Sequence, residues 1–193
     1  SYGDCKALTN YTKALLDVVG VPSYYTVLYA GDNEIDFNPD FAIIEGNHAI
    51  LGVPDGEDII WLECTSQDTP FGYGGNFSDD RDVLVVTPEG GKIVHTKAYT
   101  FKENTQENIA AVSINSSGVL QADFKGVSQG LQYDNKYRLD KLDADDLEKK
   151  YKKRWGHING FNIENIALEN NKEDILFTEN LTINVPNYCS FVG

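Results

Sequence analysis

The sequence has no methionine, three cysteines, three histidines and two tryptophans among its 193 residues. Basic residues are also few: 16 lysines and arginines stand against 30 aspartates and glutamates, which gives a formal charge of −14. A charge of this sign disfavours phosphate backbones and anionic membrane surfaces as partners. No apolar run approaches the roughly 20 residues that a membrane-spanning helix needs. We therefore expect neither nucleic-acid binding nor a membrane span.

The three cysteines, Cys5, Cys64 and Cys189, form no CxxC pair and no cysteine–histidine cluster with zinc spacing. One disulfide with one free thiol is compatible with this number, and so are three free thiols, which we favour. The spacing therefore predicts no structural zinc. We also expect no other metal and no organic cofactor.

The chain begins at Ser1 and has an early turn signal at Gly3, which is typical of the middle of a longer protein. We therefore expect a fragment, with any signal peptide lying upstream of it. With 41% hydrophobic and 24% charged residues, the composition is that of a globular protein. The length suits one ordinary domain or two small ones.

A helix of about four turns is predicted directly after Asp4. Asp4 is a favourable N-cap residue, and apolar residues recur at helical spacing from Leu8 to Val19. Gly20 then ends the pattern. Cys5 consequently lies in the first turn, where unpaired backbone N–H groups and the positive end of the helix dipole favour a thiolate.

An antiparallel sheet is predicted to lie against this helix. Residues 23–30 are rich in aromatic and β-branched side chains, which is typical of a strand. Hairpins are predicted around Asp55-Gly56 and around Glu89-Gly90, each with a glycine in its turn.

A polar loop, residues 31–40, separates the first strand from the first hairpin and contains potential calcium ligands. These are Asp32, Asp36, Asn38 and Asp40. An EF-hand loop counted from Asp36 would lack the glycine at its sixth position and the closing glutamate. We therefore favour a solvated loop over a metal site.

The chain becomes polar and rich in asparagine after Tyr99, and we place a domain boundary near residue 98. Residues 143–156 predict a helix that is acidic at its start and basic at its end, the order that suits the helix dipole. Further short strands are predicted at 109–115, 119–126, 161–168, 175–185 and 188–192. The fold class predicted for the whole chain is therefore α+β.

Aromatic residues of the second half fit either a hydrophobic core or a binding surface. They are Tyr133, Tyr137, Tyr151, Trp155 and Phe161. Their helical and strand spacing favours the core. His95 and His157 have no partner at a catalytic or metal-binding spacing, and we expect them at surface or turn positions.

His48 and Glu63 are predicted to face each other across the first hairpin. A two-residue turn at Asp55-Gly56 brings His48 directly opposite Glu63. Opposed Cβ atoms lie about 4.5 to 5.5 Å apart on one face of a sheet, so a carboxylate can reach an imidazole. Cys64 alternates to the opposite face, and we expect it to take no part in the chemistry.

Cys5, His48 and Glu63 have the side chains that a nucleophilic triad requires. A thiolate needs an imidazole to hold it and later to protonate a leaving group, and the imidazole needs a carboxylate to orient it. Packing is the alternative for each residue: a small buried thiol, and a core histidine with a structural partner. The combination favours catalysis, because packing alone gives no reason to expect it.

Three motifs, Y-G-D-C-K-A, N-H-A-I-L and W-L-E-C-T-S-Q, occur in this order within residues 2–98. With these spacings the chain resembles the core of transglutaminase-like proteins, in particular the Bacteroidetes proteins that carry this core between two domains of unknown function. The resemblance implies a papain-like fold in which a cysteine helix packs on an antiparallel sheet. It makes Cys5 the nucleophile, His48 the general base and acid, and Glu63 the acid, where most of the family has aspartate.

The activity implied by this resemblance is acyl transfer through a thioester, on peptide or glutamine carboxamide bonds of a protein or peptide substrate. Protease, amidase and cross-linking outcomes all use the same residues. The expected domains are a partial transglutaminase-like core, residues 1–98, and a small β-rich domain with one helix, residues 99–193. Because the bacterial relatives are generally exported, the resemblance also implies a periplasmic or cell-envelope location.

A non-catalytic module that binds a protein, peptide or glycan is the alternative. In the family, helices ahead of the cysteine complete the cleft and part of the oxyanion hole, and this chain starts too late to contain them. The glutamate at position 63 also departs from the usual aspartate. Under this alternative the fragment is inactive, whatever the longer protein does.

Overall fold

The computed structural model describes residues 3–32, 35–41 and 46–190. Within these ranges the chain is α+β, which confirms the predicted fold class at this level. It divides into two compact units, residues 1–100 and residues 101–193. The assignment of the first unit to a partial transglutaminase-like core stays a prediction.

The first unit begins with helix α1, Cys5–Val18, as predicted from the sequence. The Asp4 side chain accepts a hydrogen bond from the Ala7 N–H at 3.1 Å and so caps the first turn. At the other end Gly20 has a φ of 75°, and the Val21 N–H bonds to the Leu16 carbonyl at 2.9 Å. Both ends of the helix therefore have the partners that the sequence indicates.

A five-stranded antiparallel sheet makes up the rest of the first unit, in the order β3-β2-β1-β4-β5. Its strands are β1 Tyr24–Leu28, β2 His48–Asp55, β3 Asp58–Leu62, β4 Asp82–Thr87 and β5 Gly90–His95. One face carries a buried cluster formed by Leu28, Ile50, Trp61, Val83 and Val85. A short 3-10 helix, Gly75–Phe77, precedes β4.

The register of the first hairpin differs from the prediction by two residues. Asp55 pairs with Asp58, so the turn consists of Gly56 and Glu57 rather than Asp55 and Gly56. Gly56 has a φ of 63°, and a tight hairpin turn requires a positive φ at its first central position, which glycine adopts most easily. The direct opposition predicted for His48 and Glu63 is therefore wrong. A shift of two residues nevertheless keeps each side chain on its predicted face.

The second unit is a four-stranded antiparallel sheet with helices, in the strand order β6-β7-β9-β8. Its strands are β6 Gln106–Ile114, β7 Leu120–Gln129, β8 Asn162–Asn171 and β9 Leu176–Val185. Its helices are α2 Leu131–Asp134, the 3-10 helix Leu139–Lys141 and α3 Ala144–Arg154. The helix predicted over 143–156 is confirmed, with the Asp143 side chain accepting from the Asp146 N–H at 2.8 Å.

The strand predicted over 188–192 is wrong for residues 188–190, and residues 191 and 192 lie outside the described ranges. A turn with a positive φ at Asn187 precedes this segment. The Cys189 N–H then bonds to the Gly118 carbonyl in the β6–β7 turn at 3.3 Å, so the segment follows a turn instead of extending the sheet.

The aromatic residues of the second unit belong to its core, as their spacing predicts. Tyr133, Tyr137, Tyr151 and Phe161 are buried. Trp155 stacks on Tyr151 at 5.6 Å between ring centroids and lies 5.3 Å from Phe161. The binding-surface alternative for this set is therefore not supported.

A buried carboxylate, Glu179 on β9, links the sheet of the second unit to its helical segments. It accepts hydrogen bonds from Tyr151 at 2.6 Å, from Lys136 at 2.8 Å and from Arg154 at 3.2 Å. Burial alone would raise the pKa of Glu179, but the bonds from Lys136 and Tyr151 and the cationic charges lower it below the ordinary value. Glu179 therefore stays ionised although its side chain is fully buried.

All three cysteines are free thiols, the alternative that the sequence favours. None of the helices in the described parts of the chain combines the length and apolar character needed to cross a membrane.

Replacing Glu179 by alanine tests the energetic role of this network. Glu179→Ala leaves Lys136, Arg154 and Tyr151 without their shared acceptor, and we expect a loss of about 3 kcal/mol in the free energy of unfolding. Hydrogen exchange of the β7 and β9 amides and guanidinium denaturation at pH 7 measure it. Glu164→Ala, at an exposed position of β8, is the control. Equal protection of β9 in both variants would contradict the assignment.

Candidate active site

His48 and Glu63 are brought together by a hydrogen bond. His48 Nε2 lies 2.7 Å from Glu63 Oε2, and both side chains are only 8% exposed. Continuing the observed register of β2 and β3 places Glu63 across from Ile50 and diagonal to His48. Diagonal neighbours are farther apart than opposed ones, and the long glutamate side chain spans the difference.

The second oxygen of Glu63 is held by Thr65, a residue that sequence reasoning did not select. The Thr65 N–H donates to Glu63 Oε1 at 2.8 Å, and the Thr65 hydroxyl donates to the same oxygen. Burial alone would raise the pKa of Glu63, but the hydrogen bonds from His48 and Thr65 lower it below its ordinary value. The carboxylate is therefore charged at neutral pH.

Asn47, the first residue of the N-H-A-I-L motif, fixes the backbone just before His48. Its side-chain amide donates to the Ala30 carbonyl at 2.9 Å, and its carbonyl oxygen accepts from the Ala30 N–H at 2.6 Å. These two bonds imitate a further step of strand pairing between the ends of β1 and β2. The position from which His48 projects is therefore well defined.

Phe77 contacts the imidazole of His48 edge-on, with ring centroids 5.0 Å apart. The backbone around Phe77 is anchored by the Gly31 N–H, which bonds to the Phe77 carbonyl at 2.9 Å. The buried Arg81 side chain adds a bond to the Asn76 carbonyl at 3.1 Å. Two contacts therefore restrict the orientation of the His48 ring: Glu63 binds one ring nitrogen, and Phe77 packs against the ring.

Cys5 lies in the first turn of α1 and is partly exposed. One turn further along, the buried Thr9 hydroxyl donates to the carbonyl of Ala49 at 3.0 Å. Ala49 directly follows His48, so this bond ties the helix to the strand beside the candidate imidazole. Burial and the neighbouring Cys5 and Asp4 side chains raise the pKa of the Tyr25 hydroxyl, which lies near this end of the helix.

The described contacts therefore join two of the three candidate residues and place the third at the start of a neighbouring helix. No hydrogen bond links the Cys5 thiol to His48 among the residues that the structure describes. Because Nε2 of His48 is taken by Glu63, Nδ1 is the ring nitrogen that remains for proton exchange.

Cys64 lies against helix α1, where its thiol interacts with the side chains of Thr9 and Thr12. Its Sγ also lies 3.6 Å from the Leu62 carbonyl. Burial raises the pKa of Cys64, so this thiol is protonated at neutral pH and is a poor nucleophile. That Cys64 takes no part in chemistry stays a prediction, and these contacts agree with it.

The two other histidines are exposed, as expected. His157 lies in the turn after α3. His95 has carboxylate partners that its spacing in the sequence does not indicate: its Nδ1 lies 2.8 Å from Asp82 and its Nε2 3.0 Å from Asp80, and these bonds raise the pKa of His95. The pairing of β4 with β5 explains the contact, since it sets Asp82 opposite His95.

The polar loop predicted over 31–40 is described except for residues 33 and 34. Asp36 accepts a hydrogen bond from the Asp82 N–H at 2.7 Å, and Asn38 accepts from the Asp40 N–H at 2.9 Å. In the described parts of the chain, no three His, Cys, Asp or Glu side chains lie close enough to hold a metal ion.

Comparison of the chain with protein-family models, with curated proteins and with solved structures found no match.

Glu63→Gln tests whether the carboxylate stabilises the fold through its charge. Because folding lowers the pKa of Glu63, its contribution is complete above the unfolded pKa of about 4.3 and is lost as the pH falls through the folded value. We expect the free energy of unfolding to decrease less steeply between pH 6 and pH 3 in Glu63→Gln than in the unsubstituted chain. Denaturant titrations across this range measure it. Glu57→Gln, in the exposed hairpin turn, should keep the original slope.

Proposed function

We propose that the first unit is a transglutaminase-like cysteine acyl-transfer module acting on peptide or glutamine carboxamide bonds. The observation that carries the proposal is the buried hydrogen bond between His48 Nε2 and Glu63 Oε2 at 2.7 Å. Its further support is the position of Cys5 at the start of α1 and the order of the three motifs along the chain.

The proton path of the proposed reaction follows from the orientation of the imidazole. When Glu63 accepts a hydrogen from Nε2, the neutral ring carries its lone pair on Nδ1. Nδ1 takes the proton of the Cys5 thiol, and the thiolate attacks the carbonyl carbon of the substrate. The same nitrogen then returns the proton to the leaving amine, which departs as a thioester forms on Cys5.

The thioester is resolved by the reverse sequence of proton transfers. His48 takes a proton from water or from a second amine, the nucleophile attacks the thioester carbonyl, and the proton passes to the departing Cys5 sulfur. Water gives hydrolysis and an amine gives cross-linking, so the acceptor decides between the two outcomes. Glu63 keeps its negative charge throughout and stabilises the imidazolium that forms in each half-reaction.

The start of α1 supplies the electrostatic part of the proposed site. The backbone N–H of Cys5 is the oxyanion donor that we propose, since the first N–H groups of a helix have no intrahelical acceptor. Catalytic hydrogen bonds are often long before substrate binds and tighten in the complex. We therefore propose that the Cys5 thiol comes within hydrogen-bond distance of His48 Nδ1 transiently in the free chain, and that bound substrate stabilises this arrangement. From the resemblance of the three motifs to exported transglutaminase-like proteins, we also propose that the longer protein lies in the periplasm or cell envelope.

A non-catalytic binding module is the second candidate, favoured by one specific observation. The Cys5 thiol makes no hydrogen bond to His48 among the described residues, so the complete proton path is not formed in this structure. This module would use the surface around His48 and the start of α1 to bind a protein, peptide or glycan. Retention of biological activity by Cys5→Ala in the longer protein would favour this candidate over the enzyme.

Alkylation of Cys5 by iodoacetamide between pH 5 and pH 9 tests the catalytic proposal. Peptide mapping by mass spectrometry separates Cys5 from Cys64 and Cys189. We expect rapid alkylation of Cys5 well below pH 8, because His48 and the helix dipole stabilise the thiolate. In His48→Ala we expect the rate at pH 7 to fall roughly tenfold or more, with a rise only near 8.5, where an ordinary thiol ionises.

His95→Ala provides the matched control for this experiment. His95 belongs to the same unit and also binds carboxylates, but it is half exposed at the surface. Its removal should leave the pH profile of Cys5 unchanged. A wild-type profile that rises only near pH 8.5 and does not respond to His48→Ala would exclude the triad.

A further inference from the structure

We propose that Thr65 is a positioning residue for the His48–Glu63 pair, and that it enables glutamate to serve as the acid. Its proposed role is to fix one carboxylate oxygen of Glu63 so that the other faces the imidazole. The inference rests on the proposed function of this site. It concerns a residue outside the candidate triad of Cys5, His48 and Glu63.

The partners of the Glu63 carboxylate are divided between its two oxygens. In the described parts of the chain, Oε1 accepts from both the N–H and the hydroxyl of Thr65, whereas Oε2 is bound only to His48. Rotating the carboxylate about its last side-chain torsion would break both bonds to Thr65. The two donors of one residue therefore select the rotation at which Oε2 points to the ring.

A glutamate needs this restraint more than an aspartate does. It has one more rotatable bond, and its terminal torsion is broad rather than confined to staggered wells. The register of β2 and β3 sets Glu63 diagonal to His48, so the side chain must extend toward its partner instead of facing it directly. Without the hydrogen bonds from Thr65, the Glu63 carboxylate could contact His48 in several orientations.

The backbone after β3 makes Thr65 available for this role. Strand β3 ends at Leu62, so the N–H of Thr65 is free of the strand ladder and turns toward Glu63 two residues earlier. The next residue stabilises the same loop: Ser66 Oγ accepts from the N–H groups of Asp68 at 3.2 Å and Thr69 at 3.1 Å. Thr65 itself is exposed, so its substitution leaves the buried clusters intact.

Two substitutions at position 65 separate the hydroxyl from the rest of the side chain. Thr65→Val keeps the shape and the backbone N–H but loses the hydroxyl, whereas Thr65→Ser keeps the hydroxyl. Thr69→Val is the control, because Thr69 lies in the same loop and its hydroxyl does not bond to Glu63 in the described chain. The readouts are the ¹³C carboxyl titration of Glu63, the ¹⁵N shifts of the His48 ring and Cys5 alkylation at pH 7.

In Thr65→Val we expect the pKa of Glu63 to rise, because the substitution removes a hydroxyl bond that stabilises the charged carboxylate. The ¹⁵N shifts of His48 should change from a predominantly Nε2-protonated ring toward a mixture of tautomers. Cys5 alkylation should slow about three- to tenfold, the effect expected from losing one typical hydrogen bond. Thr65→Ser should restore all three readouts, and Thr69→Val should resemble the unsubstituted chain.

Failure of this inference differs from failure of the proposed function. If Thr65→Val leaves the Glu63 titration and the His48 shifts unchanged, Thr65 does not position the pair, even where alkylation still depends on His48. If those two readouts respond to Thr65→Val but alkylation ignores His48→Ala, Thr65 positions the pair and the catalytic proposal fails.

Discussion

The hydrogen bond between His48 and Glu63 is the interaction on which the candidate site depends. A carboxylate and an imidazole that are each 8% exposed are costly to bury unless their polar atoms find partners. Glu63 meets this requirement with His48 on one oxygen and Thr65 on the other. Asn47 and Phe77 fix the backbone and the ring of the histidine. The end of the sheet is thus organised around one buried polar pair.

A comparison with Glu179 in the second unit shows what distinguishes this pair. Glu179 is more deeply buried than Glu63, and its partners are Lys136, Tyr151 and Arg154, groups that all remain donors at neutral pH. None of these partners changes its protonation near neutral pH, so the network stabilises the fold of the second unit. The partner of Glu63 is instead an imidazole, which changes charge near neutrality and has a second nitrogen. Proton-transfer chemistry is therefore proposed for the first unit, and a structural role for Glu179.

Sequence patterns predicted the parts of the structure that depend on local signals. The Asp4 cap and Gly20 bounded α1, and the glycine turns located both hairpins of the first sheet. The hairpin register was wrong by two residues because the position of Gly56 within its turn is set by backbone φ, which spacing does not encode. Thr65 was missed because its bond to Glu63 forms only where the strand ends. The distance from Cys5 to His48 depends on how a helix lies on a sheet, which no short motif specifies.

The attachment of α1 to the sheet restricts how the Cys5 thiol can approach the imidazole. Thr9 is fully buried and its hydroxyl is bound to the carbonyl of Ala49, so the helix is anchored one turn after Cys5 and one residue after His48. Movement of the whole helix would break this bond and expose Thr9. An adjustment confined to the first turn, at Asp4 and Cys5, would keep it. Any approach of the Cys5 thiol to His48 that keeps this bond is therefore confined to the first turn of the helix.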